Sequence, residues 1–261
     1  MSCADTFKPK SHNELMDALK STTDEVLYNT LQLACRNDNY GMLIFLLRNK
    51  CYKFFHDTDK VNALIRCSTG RRRIVEGLLD YGAERFTKQI VGANLEYASI
   101  VNSALSRYKS NFCILDSSLD SFLYYCAERD YAQTIRVLVQ HGADVNYSNA
   151  EALREAVRMG NFTSAKVLLE LGADVSSVDN EAIRIACSYG YIDLVELLIS
   201  HGADVNCRNG ACLDSAITNK VSGTYNYRLI FMLIDNGARP KDSYPEFYRE
   251  YARTLYTFNT P

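Results

Sequence analysis

The triplet Gly-Ala-Asp stands at 142–144, at 172–174 and at 202–204, so this chain repeats itself every 30 residues. Gly82-Ala83-Glu84 lies two further periods upstream in the same register, and Gly237-Ala238-Arg239 follows the last copy after 35 residues. The agreement runs through the whole unit. One copy reads Ala152-Leu153, Ala156, Gly160, Val167-Leu168-Leu169 and Gly172-Ala173-Asp174-Val175. The next reads Ala182-Ile183, Ala186, Gly190, Leu197-Leu198-Ile199 and Gly202-Ala203-Asp204-Val205, and the copy before gives Phe122-Leu123, Cys126, Asp130 and Val137-Leu138-Val139. Self-similarity at this period implies small modules, each packed only on its neighbours.

Each module reads as two short helices. The first spans about Ala150 to Arg158 and ends before Gly160, where the chain needs a residue tolerant of left-handed backbone. Asp120, Asn149 and Asn180 stand at or beside the starts of these first helices and are expected to cap their free N–H groups. The second spans about Phe162 to Glu170, with Ala165, Leu168 and Leu169 on one face, and Val195, Leu198 and Ile199 repeat that spacing. Helices of eight or nine residues do not hold alone, because nucleation is costly. The pattern therefore predicts a stack.

Charge and cysteine usage narrow the function. A net charge of -2 gives no basic face for nucleic acid. Arg71-Arg72-Arg73 is shorter than the basic runs that mark nuclear signals or phosphate contacts, and it reads as a solvated helix start. Met1 to Lys20 is polar, and no stretch reaches the roughly 18 apolar residues of a membrane span. Nine cysteines, an odd number with no export signal, point to free thiols in a reducing cytoplasm. No C-x-x-C pair exists and only four histidines are present, which speaks against zinc. No nucleotide-binding, metalloprotease or nucleophile-elbow motif occurs, so no enzymatic activity, catalytic residue, metal or cofactor is expected. His141 and His201 share one position before Gly-Ala, where an imidazole suits the end of a helix. Cys35, Cys126 and Cys187 fall on the small-residue faces of first helices and read as packing residues. Asp57 and Asp59 read as ordinary loop carboxylates.

The pattern Ala…Gly…Val-x-Leu-Leu…Gly-Ala-Asp-Val-Asn, clearest in Gly190 to Asn206, resembles the ankyrin repeat and extends from about Tyr28 to Lys241. Two departures stand out. The usual Thr-Pro-Leu-His is replaced by Glu151-Ala152-Leu153-Arg154 and Glu181-Ala182-Ile183-Arg184, and the period is 30 where 33 is usual. The three missing residues fall between Asp174 and Ile183, where the family carries a projecting β-hairpin. The combination is similar to the large ankyrin families encoded by giant DNA viruses of amoebae. The resemblance implies an all-α, ankyrin-type helix-turn-helix solenoid with shortened hairpin loops and helical caps at both ends. Residues 1–27 form the expected N-terminal cap, 28–242 an array of about seven units with a degenerate one near 88–117, and 243–261 a C-terminal capping helix and tail. The last unit carries five extra residues, placed at Ser222 to Asn226.

In that family the concave face varies just before the glycine that ends each first helix, and just before that helix begins. Carried over, those positions are Glu128, Arg129, Arg158, Met159, Ser188, Tyr189, Thr218 and Asn219, with Asn149, Ala150, Asp179 and Asn180 at the helix starts. Tyr189 and Met159 are residue types enriched at interfaces. The resemblance thus implies a monomeric, non-catalytic scaffold or adaptor that binds a protein partner, viral and acting on a host protein in the host cytoplasm, with neither nucleic acid nor membrane as partner. A structural paralogue without a dedicated partner fits the same residues. A repeat-bearing enzyme fits less well, since caps of 27 and 19 residues are too short to bury a second core.

Overall fold

The computed structural model describes residues 22–49, 51–81, 83, 87–107, 116–218 and 226–239. Residues 1–21 of the expected N-terminal cap, the insertion up to residue 225, Asn219 and the capping helix at 243–261 lie outside the described residues. The chain forms two compact units, Met1–Ile114 and Leu115–Pro261. Among the described residues all regular structure is helical.

The first unit holds α1 (Asp24–Arg36), α2 (Tyr40–Arg48), a 3-10 helix (Cys51–His56), α3 (Thr58–Ser68), α4 (Arg72–Asp80), α5 (Thr87–Ala93) and α6 (Ala98–Arg107). The first helices α1, α3 and α5 pack in sequence, and so do the second helices α2, α4 and α6. Leu31, Leu43, Leu46, Leu64, Ile74 and Leu78 are buried between them. The segment at 88–117, legible in sequence mainly by its length, contributes the ordinary helix pair α5–α6. Its Asn94 is fully buried, donates to the Ile90 carbonyl (2.8 Å) and accepts from the Gly70 amide (2.9 Å), so an amide side chain joins two modules without the glycine motif.

One expectation changes here, and the arginine run opens α4 as a solvated helix start, as expected. Asp57 is a helix cap: its Oδ1 accepts from the amides of Asp59 (3.1 Å) and Lys60 (3.2 Å) at the start of α3. The arginine run is committed locally, with Arg71 donating to the carbonyls of Cys67 and Thr69, Arg72 paired with Glu76, and Arg73 over the ring of Tyr40.

The second unit holds α7 (Asp116–Glu128), α8 (Ala132–Gln140), α9 (Tyr147–Arg158), α10 (Phe162–Glu170), α11 (Ser177–Tyr189), α12 (Ile192–Ser200), α13 (Cys207–Thr218) and α14 (Tyr227–Asp235). The first helices α7, α9, α11 and α13 form one layer, and the second helices α8, α10, α12 and α14 the other. The bounds of α10 are those the apolar spacing predicts. Ala165, Leu168, Val195 and Leu198 are fully buried, as are Ala156, Cys126, Ala186 and Cys187 of the first helices.

The shortened loops take an unexpected form. Ser148-Asn149-Ala150, Val178-Asp179-Asn180 and Arg208-Asn209-Gly210 all have φ between +46° and +80°, three consecutive left-handed residues in each copy. One left-handed turn, closed by the bond from the Ala150 amide to the Asn146 carbonyl (3.1 Å), replaces the longer hairpin and turns the chain into the next first helix. It is costly for side chains with a Cβ, about 1–2 kcal/mol per residue, and worst for a β-branched one. Val178 is such a residue and is 40% exposed, so it recovers little by packing. Val178→Asn is therefore expected to raise stability by about 1 kcal/mol, visible as a higher Tm in a thermal melt, with no change of fold.

Asp120 and Asn180 do not cap the starts of their helices. Asp120 Oδ1 accepts from the Asp144 amide (2.8 Å) and Asn180 Oδ1 from the Asp204 amide (2.8 Å), tying the two ends of one module together. Where the aligned residue is small, at Ala150 and Gly210, the bond comes from the preceding module. Asn146 Oδ1 accepts from the Asp174 amide (2.7 Å), and Asn206 Oδ1 accepts from the Arg239 amide (2.9 Å). The same two asparagines donate to the carbonyls of Gly172 (3.2 Å) and Gly237 (3.0 Å). In these four modules the backbone amide after Gly-Ala is satisfied by two devices in alternation.

Candidate functional site

The residues singled out by sequence fall into two groups on the second unit. Glu128, Arg129, Arg158, Met159, Ser188, Tyr189 and Thr218 stand at the C-terminal ends of α7, α9, α11 and α13, which are neighbours in one layer. All but the half-buried Glu128 are exposed. Met159 is 48% and Tyr189 57% exposed, large apolar surface that a folded module leaves in water. Tyr189 is held flat against Tyr191, ring centroids 5.5 Å apart and planes 13° from parallel. Arg158 pairs with Glu155, whose carboxylate is nearly fully buried, so this arginine also neutralises an internal charge. The Thr218 hydroxyl donates back to the Asp214 carbonyl (2.7 Å) and that of Ser188 to the Arg184 carbonyl (2.8 Å).

The second group lies at the other end of each first helix, about 12 Å away along the axis. Asn149 and Asp179 are exposed on the left-handed turns, and Asp179 pairs with Arg208 at 3.0 Å. Ala150 and Asn180 point inward: Ala150 is fully buried, and Asn180 is 9% exposed with its amide oxygen committed to the Asp204 amide. The left-handed turn rotates this position into the module, so neither offers the exposed surface that the family pattern implies.

A cleft between α7 and α9 involves none of the contact residues that the family pattern implies. It has a volume of about 230 Å³ and is lined in part by Asp120, Tyr124, Tyr125, Asp144, Tyr147 and Glu151. The rings of Tyr124 and Tyr125 meet edge to face, centroids 5.7 Å apart at 84°. Burial pushes the Tyr124 hydroxyl up, and the carboxylates of Glu155, Glu128 and Glu151 add to the shift against the opposing Arg158. The signal was present in the sequence as tyrosines at positions where the next module carries Arg154 and Glu155, but only stacking brings Tyr124 to Glu151.

The remaining chemistry-bearing residues serve the scaffold. Burial pushes the thiols of Cys35 and Cys126 up to about 12, which keeps them protonated and inert at neutral pH. His141 and His201 are the cap residues of α8 and α12, and His201 Nδ1 lies 2.9 Å from the Leu197 carbonyl oxygen. The described residues contain no group of three or more His, Cys, Asp or Glu placed to hold a metal ion. No described helix is long and apolar enough to cross a membrane.

Comparison with protein families agrees with this geometry. The family of ankyrin repeats, as three copies, matches residues 90–179, and a single ankyrin repeat matches 182–210. Comparison with curated proteins finds no match. The matched residues include the helix pairs α7–α8 and α9–α10, most of α11–α12, and the Gly-Ala-Asp turns between them. Residues 90–179 and 182–210 therefore carry ankyrin repeats, folded as stacked helix pairs of a helical repeat.

Proposed function

We propose that this chain is a non-catalytic adaptor that binds a partner protein across the first-helix ends of its second unit, with Arg129, Met159 and Tyr189 as central contacts. The observation that carries this is the exposure of Met159 and Tyr189 on neighbouring helices whose scaffold residues repeat while these positions differ. Ankyrin repeats are generally protein-interaction modules, which supports a protein as the partner. Left-handed turns project less than hairpins, so the partner rests on the helix ends. Likeness to the arrays of giant DNA viruses favours a host protein as target and the host cytoplasm as the place of action, with the chain acting as a monomer.

Affinity capture and proximity labelling from a eukaryotic lysate test this, using wild type beside Arg129→Glu/Met159→Ala/Tyr189→Ala. Arg158 is left intact because it covers the Glu155 carboxylate. The triple variant is expected to keep its thermal melt and to lose its partner at least tenfold, about 1.4 kcal/mol, while Ser176→Ala/Ser177→Ala retains it. Equal recovery by all three, or nothing above background from any, would leave a structural paralogue as the better reading.

A further inference from the structure

We infer that the cleft between α7 and α9 seats one cationic side chain, an arginine or lysine, supplied by the partner protein. This deepens the adaptor reading and rests on it for the identity of the donor.

The next module carries the template. Glu181 is the equivalent of Glu151 one period on, and it forms an ion pair with Arg154, both side chains largely withdrawn from water at 17% exposure for the arginine and 27% for the glutamate. The residue equivalent to Arg154, one period back, is Tyr124. Between α7 and α9 an aromatic ring thus stands where the next interface has its arginine, and the carboxylate is kept. Glu151 forms no ion pair among the described residues, and no basic residue is among those described that line the cleft.

The surroundings fit a guanidinium or ammonium group. Asp120 and Asp144 each accept one backbone amide, from Asp144 and Asn146 respectively, which orients them without neutralising them. The formal charge around the cleft is therefore negative on three sides. Tyr124 and Tyr125 stand at right angles and Tyr147 is 45% exposed at the same opening, so ring faces are available to a cation. A cleft of about 230 Å³ is below the range of small-molecule and cofactor pockets, roughly 300–1,000 Å³, and suits a single side chain. Phosphate groups of nucleic acid or lipid would meet three carboxylates and are excluded by charge.

The test uses the full chain and two defined probes, N-acetyl-arginine N-methylamide and the citrulline counterpart, which keeps the shape and removes the charge. In ¹H–¹⁵N NMR titrations the arginine probe is expected to produce saturable shifts at Tyr124, Tyr147 and Glu151, and the citrulline probe at most about a fifth of that affinity. Glu151→Gln should weaken arginine binding about fivefold or more. Tyr125→Ala, at an exposed position, should weaken it without disturbing the rest of the spectrum. Equal binding of both probes, or arginine binding unchanged in Glu151→Gln and Tyr125→Ala, overturns the proposal. Because the probes need no partner, a positive titration stands even if lysate capture fails, and a failed titration leaves the helix-end surface to be judged by capture alone.

Discussion

Leu168→Ala is expected to lower the unfolding free energy by about 3 kcal/mol, within the roughly 2–5 kcal/mol seen for buried leucines, while Tyr189→Ala changes it by no more than about 0.5 kcal/mol. Leu168 is fully buried in α10, between helix layers that are packed on either side. Trimming its isobutyl side chain to a methyl leaves a cavity that the neighbouring modules cannot close, since α8 and α12 are each held by their own contacts. Tyr189 is 57% exposed and gives up little more than its stacking on Tyr191. Urea denaturation of both variants beside the wild type, compared by midpoint at equal slope, checks both values. A Tyr189→Ala loss near that of Leu168→Ala would show that the exposed ring is part of the scaffold and would remove it from the binding surface.

That contrast also marks what could be read in the sequence. The bounds of α10 and the burial of Leu168, Leu198 and Ala156 follow from apolar spacing and from the glycines that punctuate it. The exposure of Met159 and Tyr189 follows too, because both directly precede a glycine that ends a helix. The left-handed turns were not legible, since such backbone is expected of glycine or asparagine and the chain places Ala150 and Val178 there. For the same reason the capping role expected of Asp120 and Asn180 fails, although both stand beside helix starts. Their partners lie 24 residues away and become neighbours only once the module folds. One clue was available: Asp120, Ala150, Asn180 and Gly210 alternate large and small, while Asn146, Ser176 and Asn206 alternate in step. That rhythm, two periods long, encodes which module supplies each cap. The cleft at Tyr124 and Glu151 needed the stack itself, because no spacing rule within one helix joins residues a whole module apart.

Gly160→Ala is expected to cost about 2 kcal/mol, and Tyr191→Asn to recover about half of it. Gly160 has φ +74°, and a Cβ there would lie 3.2 Å from Tyr191 Cζ, tighter than ordinary contact. Two penalties therefore add: the left-handed backbone, about 1 kcal/mol or more for alanine, and displacement of a ring already stacked on Tyr189. Gly172→Ala supplies the control, since its φ is +92° with nothing within 4 Å of the new Cβ, so it carries only the backbone cost. The array itself suggests the rescue. Asp130 takes the place of Gly160 one module back, at φ +58°, and the residue facing it is Asn161, whose amide donates to the carbonyls of Ala127 (2.8 Å) and Glu128 (2.9 Å). Gly70 faces Tyr97 in the first unit, where a Cβ would stand 2.8 Å from the ring, and so repeats the pairing of glycine with tyrosine. A side chain is tolerated at this corner where the next module offers asparagine, and glycine is required where it offers tyrosine. A double-mutant cycle on Gly160→Ala and Tyr191→Asn, read by urea denaturation, should give a coupling energy of about 1 kcal/mol in the stabilising direction. Strict additivity would mean that the ring yields freely and that the glycine is there for its backbone alone.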